Sequence, residues 1–119
     1  FDTTAAKDMG CMFEGCNNLT NINLSKISTK NATSLSGMFN DCSSLKSLDF
    51  SSFDTSNVTN MVYMLRNCSA LTSLTTGPTF KFVGTKYDLS GTWQNTTGET
   101  FTSGTFPSNV TDTYTKVSS

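Results

Sequence analysis

Apolar and polar positions repeat along this chain on one template of 26 residues. Three units, 1–26, 27–52 and 53–76, keep the spacing without insertion. Phe53 falls on Ile27 and Phe1, Val58 on Ala32 and Ala6, Met61 on Leu35 and Met9, and Met64 on Met38 and Met12. Leu65 falls on Phe39 and Phe13, Cys68 on Cys42 and Cys16, Leu71 on Leu45 and Leu19, and Leu74 on Leu48 and Ile22. A fixed period of this length predicts a solenoid, in which each unit buries its apolar face against its neighbours. Within a unit, Val58, Met61, Met64, Leu65 and Cys68 recur at offsets of three and four, which predicts a short helix with one apolar stripe. Ser56 or Asn57 stands where a helix cap belongs, and the helix should end near Asn67.

A strand should follow each helix. Leu45-Lys46-Ser47-Leu48-Asp49-Phe50 turns Leu48 and Phe50 inward and Ser47, Asp49 and Ser51 outward. The expected fold class is therefore α/β: three helix–strand units with a parallel sheet, helices on one face and polar ladders on the other. Those ladders are Asn21–Ser47–Ser73 and Asn23–Asp49–Thr75, and LxxLxL is the strand signature of leucine-rich repeats. Val62 and Tyr63 should point outward from the last helix.

The period stops after Gly77-Pro78. Residues 77–119 read as a C-terminal β cap over the last unit. Phe80, Phe82 and Val83 suggest one strand, and Tyr114, Lys116 and Val117 another. Thr96-Thr97-Gly98 suggests a hairpin with glycine in the left-handed region. Trp93, Phe101, Phe106 and Tyr114 supply a small satellite core.

The unit FDTSNVTNMVYMLRNCSALTSL resembles the repeat of BspA-like bacterial surface proteins, and SGMFNDCSSLKSLDFSSF in the middle unit resembles it nearly as well. The tail segments FKFVG, GTWQNTTGETFTS and FPSNVTDTYTKV are similar to the segment that closes such arrays. The resemblance implies a leucine-rich-repeat-like domain outside a bacterium, in proteins tied to adhesion. The chain opens on the first residue of a unit, so a fragment is expected, with further repeats and an export signal ahead of it.

Composition narrows the chemistry. Charged residues make up 14% of the 119 residues, against about a quarter in an average domain. A net charge of -1 gives no reason to expect nucleic acid or an anionic membrane. No apolar run reaches the ~20 residues of a membrane-spanning helix. Histidine is absent, the nine carboxylates are scattered, and no phosphate loop or GxSxG occurs, so no enzyme activity and no cofactor are expected.

Cys16, Cys42 and Cys68 lie 26 residues apart and should stack as a ladder of buried thiols. Short CxxC pairs for zinc are missing. Cys11 aligns with Gly37 and Tyr63 and should lie on the surface, a bridge to Cys16 being the alternative. Met9, Met12, Met38, Met61 and Met64 fall on inward positions and read as core rather than a soft-metal site. Seven Asn-x-Ser/Thr sequons (Asn18, Asn23, Asn31, Asn57, Asn67, Asn95 and Asn109) read as turn-holding residues in a Ser/Thr/Asn-rich repeat.

Three functions compete. The first is a non-catalytic, surface-exposed recognition or adhesion module that binds a host, matrix or bacterial surface protein. Its candidate binding face is Asn21, Asn23, Lys46, Ser47, Asp49, Ser73 and Thr75. The second is a structural spacer, and the third a carbohydrate-binding cap around Trp93. Apolar edges at Phe13, Leu19 and Ile22 in the first unit predict self-association.

Overall fold

The computed structural model describes residues 5–119. Its regular elements are five strands: β1 (Ser47–Asp49), β2 (Ser73–Thr76), β3 (Thr92–Gln94), β4 (Thr100–Phe101) and β5 (Asp112–Ser118). They form one sheet in the order β1-β2-β5-β3-β4. Only β1 and β2 run parallel; β5 pairs antiparallel with β2 and β3, and β3 with β4. No helix occurs among the described residues. The fold is mainly β, and the expected α/β solenoid of helix–strand leucine-rich repeats is corrected on both counts: the helices are absent and the sheet is mixed.

The stretches expected to be helical are successions of tight turns, and backbone conformation is the reason. Cys11, Gly37 and Tyr63, at one place in the template, have φ of 58, 67 and 60°. Gly15, Asp41 and Asn67, four residues on, have 76, 65 and 61°. A left-handed residue every fourth position cannot propagate a right-handed helix, but it suits the third position of a type II turn. The hydrogen bonds follow suit. Met38 N–H donates to Leu35 C=O, Asn40 to Gly37 and Cys42 to Phe39, all three residues back. The alternate N–H groups leave the unit altogether. Leu35, Gly37, Phe39 and Asp41 donate to the carbonyls of Asn60, Val62, Met64 and Arg66 at 2.8–3.0 Å. Met9, Cys11, Phe13 and Gly15 do the same toward Ser34, Ser36, Met38 and Asn40. Each turn run is thus a ladder rung bonded to the next unit, and the 26-residue period survives as the register of these bonds.

The rungs still bury the residues a helical stripe would bury. Leu35, Met38, Phe39 and Cys42 are fully buried, as are Met61, Met64, Leu65 and Cys68 to within a few per cent. Side chains at positions 8, 34 and 60 start each rung: Asp8 accepts from Gly10 N–H, Ser34 from Ser36 and Asn60 from Val62. These Asx- and Ser-type turns replace the expected helix caps.

Beyond the third unit, Tyr63 and Leu65 donate to Lys86 and Tyr87 C=O, so residues 86–87 close the rung ladder. Phe80, Phe82 and Val83 lie in no strand. β3 and β4 pair around a turn with Gly98 at φ 92°. β5 then returns to lie between β2 and β3, removing the free edge of β2.

Aromatic rings tie the parts into one core. Phe13 stacks on Phe39, Phe39 touches Phe50, and Phe50 stacks on Phe80 at 4.9 Å. The chain of contacts continues through Phe82 and Phe106 to Tyr114. The aromatics of residues 77–119 are therefore continuous with the repeat core, not a satellite of it. The first unit is less covered: Met12, Phe13, Cys16, Leu19 and Ile22 are half-buried, whereas their counterparts Met38, Phe39, Cys42, Leu45 and Leu48 are buried.

Candidate recognition surface

The strands turn Leu48, Leu74 and Tyr114 to the core and leave the alternate residues outside. Ser47 stands opposite Ser73, Ser73 opposite Thr115, Thr115 opposite Gln94 and Gln94 opposite Thr100. One polar row therefore crosses all five strands. A second row, Asp49–Thr75–Thr113, crosses three, with the Thr75 and Thr113 hydroxyls 3.3 Å apart. Directly opposed residues share a face, so both rows present hydroxyl, amide and carboxylate groups to one side. Val117, 50% exposed, follows Thr113 and Thr115 on the same side of β5 by alternation.

Of the residues expected on this face, Ser47, Asp49, Ser73 and Thr75 lie side by side in β1 and β2. Lys46 is exposed at the entrance to β1, its N–H bonded to Thr20 C=O and its C=O to Thr72 N–H. Asn21 and Asn23 are exposed but lie outside the strands. Asn23 accepts from the N–H and hydroxyl of Ser25 at 3.0 and 2.7 Å. Asp49 likewise accepts from Ser51 N–H at 2.9 Å. Both side chains therefore hold turns as well as facing solvent. The sequence reading missed Thr113, Thr115, Gln94 and Thr100. The available signal was the alternation of exposed Thr113 and Thr115 around buried Tyr114 in β5.

Trp93 is wholly buried, and its indole N–H donates to Ser90 C=O at 2.9 Å. A ring without an exposed face cannot stack on a sugar, which removes the platform expected there. Asparagine side chains of several sequons bond within or between units: Asn57 to Lys30 C=O, Asn67 to Asp41, Asn109 to Pro78 C=O.

No disulfide joins the four cysteines. Cys42 Sγ donates to Phe13 C=O and Cys68 Sγ to Phe39 C=O, each at 3.1 Å and each across to the preceding unit. Cys16 is half-buried. Cys11 is exposed, with Sγ 3.5 Å from the Glu14 carboxylate. Burial pushes the Cys68 thiol up to about 12, and burial likewise raises Cys42. Only thiolates alkylate quickly. Native protein at pH 8 should therefore lose exposed Cys11 and half-buried Cys16 to iodoacetamide ahead of buried Cys42 and Cys68, as read by peptide mass spectrometry; early modification of Cys68 would contradict the packing. The sign for stability follows from the raised value. The folded state holds the Cys68 proton more tightly, so this contribution is complete below about pH 9 and is lost as pH rises toward 12.

Among the described residues, no group of three or more His, Cys, Asp or Glu side chains could hold a metal ion. No helix among them is long and apolar enough to cross a membrane.

A family model described as Mycoplasma protein of unknown function, DUF285, matches residues 1–95. The chain belongs to this family. No BspA-like or leucine-rich-repeat family matches, which corrects the resemblance drawn from the repeat motif. No curated protein and no solved structure matches the chain. The matched region ends just after β3, so β5, which contributes Thr113 and Thr115 to the centre of the polar face, lies beyond it.

Proposed function

We propose that this domain is a non-catalytic recognition module, displayed on the outside of a bacterial cell, that binds a protein partner through the polar face of its sheet. The observation that carries this reading is the in-register row Ser47–Ser73–Thr115–Gln94–Thr100. Short side chains on a rigid sheet offer many hydrogen-bond donors and acceptors at small entropic cost. The apolar interior and the strand pairing fix their positions, with only the Gln94 amide engaged in addition among the described residues, to Gly98 C=O.

A binding screen tests this reading. Immobilised domain is exposed to purified host matrix proteins and to bacterial surface proteins, beside a Ser73→Arg/Thr115→Arg variant. Both positions are central on the face, Thr115 exposed and Ser73 half-buried, and the inward-facing Leu74 and Tyr114 beside them are left unchanged, so the variant should keep its melting temperature within a few degrees. The expected result is a protein ligand whose affinity falls at least tenfold, ~1.4 kcal/mol, in the variant. A ligand bound equally well by both would place the site elsewhere. No ligand in either panel would favour a spacer that holds other domains apart.

A further inference from the structure

We infer that the rung of the third unit carries a second contact site, specific for an acidic segment of a partner protein and built from Tyr63, Arg66 and Lys86. This site lies on the turn ladder, not on the strand face, and stands independently of the reading above.

Backbone conformation gives the first indication. Tyr63 sits at φ 60°, in the left-handed region that a residue with a Cβ adopts uncommonly, as Cys11 does at the same place in the first unit at 58°. The middle unit has Gly37 at the same place, with φ 67°. Packing does not account for the tyrosine, because its side chain is 46% exposed and the neighbouring Val62 is 36% exposed.

The surroundings supply the chemistry. The Arg66 guanidinium lies over the Tyr63 ring, 4.7 Å from its centroid. This cation–π contact holds the guanidinium against the ring, and a guanidinium can bind a carboxylate in bidentate fashion. Beside the ring opens a groove of about 380 Å³, lined by Tyr63, Thr85, Lys86, Asp88 and Ser103. Among the described residues, neither Arg66 nor Lys86 has an ion-pair partner. Arg66 and Lys86 flank the ring against one groove carboxylate, Asp88, while the Asp41 carboxylate one unit down is held by the Asn67 side chain. Tyrosine and arginine are both among the residues enriched at binding hot spots. The first two units lack the combination: Gly10, Cys11 and Glu14, then Ser36, Gly37 and Asn40, occupy these places.

An amide-shift titration with acetylated hexaglutamate amide tests the proposal, with hexalysine as the control. The prediction is saturable shifts at Tyr63, Arg66 and Lys86 with hexaglutamate alone, weakening as salt rises. Tyr63→Gly should abolish them while keeping or raising the melting temperature, since it relieves the left-handed tyrosine. Arg66→Glu, which repeats the residue of the first unit, should abolish them and create a response to hexalysine. Shifts centred on the strand face, an equal response to both peptides, or an unchanged response in Tyr63→Gly would overturn the proposal. A melting temperature lowered in Tyr63→Gly would assign the ring a structural role instead.

Discussion

Replacing Phe50 with alanine should cost about 3–5 kcal/mol of folding stability, the range for removing a buried phenylalanine. Phe50 is fully buried and lies against Phe39, Phe53 and Phe80, the last stacked nearly parallel at an interplanar angle of 1°. It is the ring through which the second unit reaches the C-terminal segment. Its loss would open a cavity at the junction rather than at one end, where the chain could collapse into the space. Domains of this size have roughly 5–15 kcal/mol in total, so the variant should approach the limit of folding at 37 °C. Urea unfolding gives the number. Phe50→Leu should recover most of the loss, and an alanine variant within 1 kcal/mol of the parent would show that the aromatic chain does not carry the core.

Gly77→Ala should be nearly as damaging for the opposite reason. A Cβ at Gly77 would lie 2.3 Å from Ser51 C=O oxygen and 2.8 Å from Ser51 Cα. The obstacle is backbone, held in place by the β1–β2 pairing and by the bond from Phe50 N–H to Thr75 C=O. No rotamer change relieves such a contact. Overpacking of this kind costs about 1–3 kcal/mol, and more where neither partner yields. A thermal melt of the variant should show a drop of several degrees or a loss of cooperativity. An unchanged melt would mean that the second and third units do not approach each other so closely.

The two predictions rest on parts of the molecule that the sequence reveals unequally. The register of 26 residues and the inward places of Leu35, Met38, Phe39 and Cys42 are legible from hydrophobic pattern alone. The secondary structure of those residues is not. Overlapping turns and an α-helix both bring offsets of three, four and seven to one side, so periodicity cannot separate them. The distinguishing signal lies at the left-handed places. Gly15, Gly37, Asp41 and Asn67 are residues that tolerate positive φ, but Cys11 and Tyr63 share those places and hide the rule.

The sheet is hidden for a different reason. Alternation identifies Ser47–Asp49 and Ser73–Thr76 as two-sided strands, and their stacking follows from the period. Nothing local says that β5 runs antiparallel between β2 and β3, since Ser73 and Thr115 meet only through tertiary structure. Half of the polar face was therefore in view and half was not. Asn21 and Asn23 were expected on it because the first unit was expected to repeat the others. Without a strand there, the row ends at β1.

The fold rests on hydrogen bonds that leave each unit instead of closing a helix within it. Scalar couplings across hydrogen bonds, measured by NMR on labelled protein, read donor and acceptor directly. Phe39 N–H should couple to the carbonyl carbon of Met64, and Leu35 N–H to that of Asn60. Coupling of Phe39 N–H to Leu35 C=O, four residues back, would mean that the rung is a helix and would contradict the turn ladder on which the fold and both surfaces depend.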